Sequence, residues 1–501
     1  MRQPELSETT MRYSTLGNFT SAFRSSIAKS SVLIALAAFG CAQSEHGVAS
    51  STCAPQWQAR FGSINDDEAR SIVRGNDGAV YVAGYENGIL GVENDWPVGD
   101  SQGYVEKRSR QGELIWRHVF DSNGTDLAEA VEFDDTRNRV IVAGRTNASI
   151  AESNAGQFDI FLAELDAQDG ELRSLEQFGD IYPEHPASVA ISENGDVIVA
   201  GLEDTYVEGN AALGRATSFV ARFATDAPSP HGFALQWWLT PNEPAPLSPA
   251  SRAFAAAPMH DGTNDVIVAS TSVRSSLSAM ISRIHSDKTL AWQRQVSPSP
   301  LDVVFSVATS SGKIYIAGTT VMALAGEPLG NSDAFLMEVD PNTGAPKWGT
   351  QFGSSGVDWL TSLAIGDDGT LYVAGTTNGA IVPGNAAVRS IFALSFSPQG
   401  ELQGGWQTPV GSSGDFIDSL KIVPTCEDIV LLAGHVQTDT SHETGLGKND
   451  SVVFSAQLHD LREFIFESSF ESNDENPRSA TLPATRLISQ RKISTGRIHH
   501  P

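Results

Sequence analysis

From residue 53 onward the apolar residues fall in short runs rich in Val, Ile, Leu, Tyr and Phe, broken by Gly, Asp, Asn and Ser, and helical spacing is hard to find. Runs of this length between turn residues predict β-strands. One run returns seven times: VYVAG at 80–84, VIVAG at 140–144 and 197–201, VIVAS at 266–270, IYIAG at 314–318, LYVAG at 371–375 and LLAG ending at 434. Its alanines, Ala83, Ala143, Ala200, Ala269, Ala317, Ala374 and Ala433, lie 60, 57, 69, 48, 57 and 59 residues apart. A phrase recurring at so steady a period predicts a repeat architecture.

Each copy sits in a frame of four strands. Between residues 333 and 377, DAFLMEVD is one strand, PNTG a turn, APKWGTQFG a second strand, DWLTSLAIG a third and TLYVAGTT a fourth, after a DDG turn. Asp-Gly pairs between apolar strands favour tight hairpins, because the turn needs positive φ. Four antiparallel strands repeated seven times predict an all-β fold, a seven-bladed β-propeller of four-stranded antiparallel blades. With strands named A to D outward from the axis, the Asp-led strand is A, the YVAG strand B, the D-x-F strand C and the Trp strand D. The chain opens on a lone D strand, CAPQWQARFG at 53–62, while its last repeat ends on a C strand, SVVFSAQL. The N-terminal strand is therefore expected to complete the last blade and remove the open edges of the ring.

These residues resemble the bacterial seven-bladed propeller repeats known as SBBP, with the pattern W-x-x-x-F-G, an Asp, an apolar strand, then G-x-[VIL]-[YI]-V-A-G-x-T and D-x-F. Trp348, Phe352, Gly353, Asp358, Gly369, Tyr372, Ala374, Gly375 and Thr377 match in order, with Asp333 and Phe335 upstream. The resemblance spans about residues 53–460 and is weakest at 201–300, where Ser270 replaces the glycine and a Pro-rich insertion follows strand D. It implies a propeller and an extracytoplasmic setting, and brings no catalytic residues with it.

The N-terminus agrees with that setting. Residues 1–41 read as an export signal: Arg24 and Lys29 precede a short apolar core, SVLIALAAFG at 31–40, and Ala38-Phe39-Gly40-Cys41 resembles a lipobox whose Cys41 is lipidated. Ten apolar residues are too few to span a bilayer, which needs ~20. Plain signal-peptidase cleavage is the alternative. Removing residues 1–41 takes away four basic and two acidic residues, leaving 29 Lys plus Arg against 58 Asp plus Glu. So acidic a chain excludes nucleic acid and anionic lipid surfaces as partners.

Residues 42–52 are then a linker, 53–460 the propeller, 461–472 a docking segment and 473–501 a disordered tail rich in Ser, Pro, Arg and Lys. Cys53 and Cys426 fall in turns at the same end of the last blade. A disulfide between them would staple the ends of the ring, a constraint worth up to ~4 to 5 kcal/mol on loop-entropy grounds. Two unpaired thiols are the alternative.

Chemistry is sparse. A carboxylate recurs after the Phe-Gly position, as Asp67, Asp126, Glu184, Asp302, Asp358 and Asp415. An acidic, cation-holding ring is one reading; side chains that satisfy backbone N–H groups of the D-to-A connection are the one favoured by repetition. Trp57, Trp116, Trp292, Trp348 and Trp406 fall on D strands and are expected to pack between blades. Trp96, Trp359, Trp237 and Trp238 are less regular; with the loop TPNEPAPLSPASR at 240–252 they mark the D-to-A and B-to-C end as the candidate binding face.

GSSG at 353–356 and 411–414 joins strands and leads into no helix, so it is no nucleophile elbow. His435 and His442 lack a third metal ligand at the right spacing, and no catalytic or metal site is expected. VDPNTGAPKW resembles a quinoprotein repeat in one copy alone, so no cofactor is expected. The reading favours a monomeric, non-catalytic binding or assembly scaffold at the bacterial outer membrane or cell surface, with an unknown protein or glycan as partner and the lipid anchor as its sole membrane attachment. Periplasmic or secreted placement is the alternative address. A polysaccharide lyase or hydrolase, or a carbohydrate-binding module, is the alternative function; the enzyme predicts His, Tyr, Arg and carboxylates on A strands and B-to-C loops around the channel.

Overall fold

The DDG turn of the repeated phrase forms as its residues require. Gly369 takes φ +85°, the Gly366 N–H donates 2.8 Å to the Thr370 carbonyl, and the Asp368 carboxylate accepts the Thr370 N–H at 2.9 Å. On either side run strands A (Asp358–Ile365) and B (Leu371–Thr377) of one blade, followed by C (Ser390–Phe396) and D (Leu402–Pro409), paired in that order. The computed structural model describes residues 57–63, 65–90, 97–98, 100–204, 216–225, 232–240, 251–272, 278–297, 302–409, 420–426, 429–437 and 449–461. Among them there are seven such antiparallel sheets and no helix. The chain folds as a seven-bladed β-propeller.

The innermost strands are Asp66–Arg74, Asp126–Asp134, Glu184–Ile191, Ser251–Pro258, Val303–Ser310, Asp358–Ile365 and Lys421–Cys426, in blades 1 to 7. Seven buried apolar clusters fill the seven interfaces between neighbouring blades. The ring closes as its strand count demanded: Gln58–Phe61 pairs antiparallel with Asn449–Gln457 and becomes strand D of blade 7. Arg60 Nε donates 2.6 Å to the buried Asp450 carboxylate across this seam.

A bulge interrupts strand A in blades 1 to 6, placing Arg70, Glu129, Ala187, Phe254, Phe305 and Thr361 out of register. It explains the glycine of the repeated phrase. A Cβ on Gly375 would stand 2.1 Å from the Trp359 carbonyl oxygen beside the bulge and 2.9 Å from the Phe392 ring on strand C. Blade 4 pairs Ser270 with Met280, where Gly375 faces Phe392, so the departure at Ser270 coincides with a missing ring. Ser270 is buried and offers no surface.

Two short additions flank this plan. Pro97–Val98 pairs with strand B of blade 1, and His459–Asp460 adds to the outer edge of blade 6 at Gly404 and Gly405. Leu461 follows, buried in the cluster between blades 5 and 6, its N–H donating 2.9 Å to the Gln403 carbonyl. The signal segment, the linker, Cys41, Cys53, Trp96, Asp415, His442, the side chain of Cys426, residues 462–472 and the tail lie outside the described residues.

Candidate functional site

Strand A begins, and strand B ends, at the propeller face from which the D-to-A and B-to-C connections emerge. The recurring carboxylates stand at this face and are spent on backbone. Asp358 accepts the Ser354 N–H at 2.5 Å and the Ser354 hydroxyl at 2.9 Å. Asp126 does the same with Ser122, at 2.6 and 2.8 Å, and Asp67 accepts the Ser63 and Asn87 N–H groups at 2.5 and 3.0 Å. Glu184 takes the Asp180 N–H at 3.0 Å and Asp302 the Val321 N–H at 3.0 Å. Asp67, Asp126, Glu184 and Asp358 hold the D-to-A connection, whereas Asp302, and Asp67 with its second bond, hold backbone at the end of strand B; no group of three metal-ligating side chains occurs among the described residues.

The position after the repeated Ala-Gly supplies the chemistry of this mouth. It holds Leu202, Thr271, Thr319 and Thr376 in blades 3 to 6, and Tyr85, Arg145 and His435 in blades 1, 2 and 7. Strand A of blade 1 adds Glu68 and the bulged Arg70; strand A of blade 2 adds the bulged Glu129, and that of blade 3 adds His185. Arg70 Nε lies 2.7 Å from Glu68 Oε2, Arg70 Nη1 3.4 Å from Glu129 Oε2, and Arg145 Nε 2.9 Å from Glu129 Oε1. His435 Nδ1 stands 3.8 Å from Glu68 Oε1, Arg145 touches His185, and the Arg70 guanidinium lies over the Tyr85 ring at 5.4 Å. Four neighbouring blades thus bring a chain of alternating charge to one side of the mouth.

Burial and pairing set the protonation of this cluster. Burial works against the Glu68 carboxylate, but Arg70 and His435 outweigh it and hold its pKa below the usual range. The Tyr85 hydroxyl is pushed up, first by burial and then by Glu68, and Arg145 is brought down to about 10 by burial despite Glu129. Glu68 and Tyr85 are moved away from neutrality in opposite directions, which suits them to hold charge and donate hydrogen bonds; proton transfer near pH 7 needs a group that titrates there.

Aromatic rings occupy the other side. Trp359, second residue of strand A in blade 6, is 43% exposed and packs 5.2 Å from the bulged Phe305 of blade 5, which lines the channel. Of the three other tryptophans assigned to this face, Trp96 lies outside the described residues and Trp237 and Trp238 are elsewhere. Trp237 donates from Nε1 2.9 Å to the Ser286 carbonyl in the C-to-D turn of blade 4, at the opposite end. Trp238 stacks on Phe219 at 4.5 Å within the core between blades 2 and 3. Side chains on strand D alternate between faces, so an adjacent pair of tryptophans splits between one interface and the next.

Beneath the mouth runs a central channel of about 630 Å³, lined by the A strands of all seven blades. Its walls are chiefly Ser, Ala, Val and Ile, with Arg74, Glu129, Glu132, Asp367 and Lys421 as charged exceptions. Burial, with Asp134 nearby, pushes Glu132 up to about 7. Glu68, Arg70, Tyr85, Arg145 and Lys421 belong to no motif of the repeated phrase and stand out in the fold. Comparing the residue after Ala-Gly across the seven copies would have found the blades that carry Tyr, Arg and His.

No family model matches the chain, and no curated protein matches it. Solved structures with a similar course include a protein of unknown function from Dyadobacter fermentans, at 12% identity over 66% of this chain and 94% of that one, with a TM-score of 0.43. The β-propeller domain of the Trilobed protease from Pyrococcus furiosus follows at 9% identity over 81% of this chain and 99% of that one, TM-score 0.42. Trypanosoma rangeli sialidase shares 8% identity over 82% of this chain and 60% of that one, TM-score 0.39.

Proposed function

We propose that this chain is an exported, lipid-anchored, non-catalytic binding propeller of the bacterial surface whose working face is the mouth where the D-to-A and B-to-C connections emerge. The observation that carries this reading is the division of that mouth: Glu68, Arg70, Tyr85, Glu129, Arg145, His185 and His435 on one side, Trp359 and Phe305 on the other. A planar apolar platform beside fixed hydrogen-bonding groups suits a saccharide, whose C–H faces stack on aromatic rings while its hydroxyls need polar partners. The lipobox resemblance at Cys41 and the SBBP-like repeats support the address, and the strongly acidic composition supports solubility there.

The enzyme alternative drew its case from such residues around the channel, and the mouth does carry them. Their mutual pairing favours binding: Glu68 and Glu129 are each matched by a guanidinium. The test is a glycan array on the chain lacking residues 1–41, with Trp359→Ala beside it. Binding to a saccharide class that Trp359→Ala abolishes is expected; turnover of a bound glycan, or binding indifferent to Trp359, contradicts the reading.

A further inference from the structure

The seven alanines of the repeated phrase each face one residue across the A–B ladder, and those seven residues line the channel. They are Ser71, Ala130, Ser188, Ala255, Ser306, Ser362 and, in blade 7, Lys421. Six small residues and one lysine therefore occupy equivalent positions around the axis.

The serines have a shared structural duty that leaves something over. Ser71 Oγ accepts the Val131 N–H of blade 2 at 3.2 Å, Ser188 Oγ the Ala256 N–H of blade 4 at 3.0 Å, Ser306 Oγ the Leu363 N–H of blade 6 at 3.2 Å, and Ser362 Oγ the Ile422 N–H of blade 7 at 3.2 Å. A hydroxyl that accepts from backbone still has its own proton to give. None of these four protons has an acceptor among the described residues. Four O–H donors are thus available among the residues that line the channel.

Lys421 has no such duty. Its ammonium makes no hydrogen bond or ion pair among the described residues, although Glu129 and Glu132 line the same channel. Burial and the Arg70 guanidinium lower its pKa, so the charged form is held where it is disfavoured. The side chain is half-buried among the residues lining the channel, and a partly desolvated cation without a partner gains when an anion meets it. The carboxylates at hand are committed: Glu129 to Arg70 and Arg145, and Glu132 is raised to about 7.

We propose that this ring is a binding site for a small carboxylate-bearing or other oxyanionic ligand, seated in the channel with its anionic group between the Lys421 ammonium and the serine hydroxyls. The channel's 630 Å³ is within the usual range for small-molecule sites. The ring lies in the channel beneath the Trp359 platform, with Phe305 lining both, and the proposal does not rest on the saccharide reading of the mouth.

The experiment is calorimetric titration of the full chain with D-glucuronate, inorganic phosphate and, as the uncharged control, D-glucose. Lys421→Ser is the variant of choice because four other blades carry serine at this position, and its melting temperature verifies folding; Lys421→Met removes charge while keeping the stem. Glucuronate or phosphate is expected to bind wild type, glucose not to bind, and both variants to bind the anion at least tenfold more weakly. Affinity should fall as pH rises through the lowered lysine pKa; the other charged groups around the channel are Arg70, Arg74, Glu129 and Asp367, with Glu132 losing its proton near pH 7. Absence of binding by wild type, or equal binding by Lys421→Ser, overturns the proposal. Trp359→Ala should leave this binding unchanged, which separates its outcome from that of the glycan array.

Discussion

The Trp292 indole of blade 4 lies across Gly344 of blade 5, and its Nε1 donates 2.8 Å to the Pro341 carbonyl in the same turn. The ring-over-glycine contact repeats around the propeller, while the indole bond varies: Trp116 Nε1 donates 3.4 Å to the Ala167 carbonyl of the next blade, and Trp348 Nε1 donates 2.9 Å to Glu338 of its own blade. Trp57 covers Gly112, Trp116 covers Gly170 and Trp348 covers Gly400, and each glycine has positive φ. Every D-strand tryptophan of this set locks onto the C-to-D turn of the following blade.

The lock predicts opposite outcomes for two substitutions. A Cβ on Gly344 would stand 2.6 Å from the Trp292 ring at φ +67°, so Gly344→Ala combines a left-handed backbone penalty with overpacking. A loss of about 2 to 4 kcal/mol is expected. In blade 4 the turn beneath Trp237 places Lys288 at φ +76°, so Lys288→Gly should gain about 1 kcal/mol. Urea unfolding midpoints of the two variants, moving in opposite directions, check this.

Closure through the N-terminus makes a second prediction. Without residues 1–61, the strand Asn449–Gln457 becomes a free edge with the buried Asp450 uncovered. Such a chain should associate or aggregate where the intact propeller elutes as a monomer in size-exclusion chromatography. A truncated chain that remains monomeric and equally stable would show that the seam contributes little.

The ends of the ring carry the third. If the chain is exported as proposed, its non-reducing digestion should yield a peptide joining Cys53 to Cys426, and reduction should lower the melting temperature. Two free thiols in mass spectrometry would remove the staple from the account.

Glu184 supplies a pH dependence. It stands where blades 1, 2, 5 and 6 have aspartate, and burial, with Asp180 and Asp159 close by, pushes it up to about 9. The unfolded chain releases this proton near pH ~4.3, so the folded state holds a proton that the unfolded state loses above that point. The contribution is therefore complete below about pH 4 and is lost as pH rises toward 9. Glu184→Gln keeps the neutral form throughout. It should melt higher than wild type at pH 8, by a few degrees, with the gap closing near pH 4. A gap that does not vary with pH would contradict the assignment.

The blade plan was legible because it is written in residues that recur. The Ala-Gly of the phrase answers a bulge and a ring that nearly every blade contains, and the unpaired first D strand announces the closure. The mouth was harder to read, since it is built from what differs among the copies. Tyr85, Arg145 and His435 occupy a position where most other blades have threonine, and Lys421 a position of serine or alanine. Sequence neighbours alone do not show that these residues meet; the ring does that. Trp237 and Trp238 misled for the converse reason, since an irregular pair in the sequence is divided by strand alternation into two ordinary packing residues.

The most direct measurement is hydrogen exchange on the chain lacking residues 1–41, with and without the saccharide that scores highest on the array. Protection is expected at the mouth, in peptides covering residues 67–70, 145–148, 184–187, 303–306 and 357–361. Protection confined to the opposite turns, around residues 75–79, 168–171, 341–345 and 366–370, would place the working face at the other end of the propeller and contradict the account.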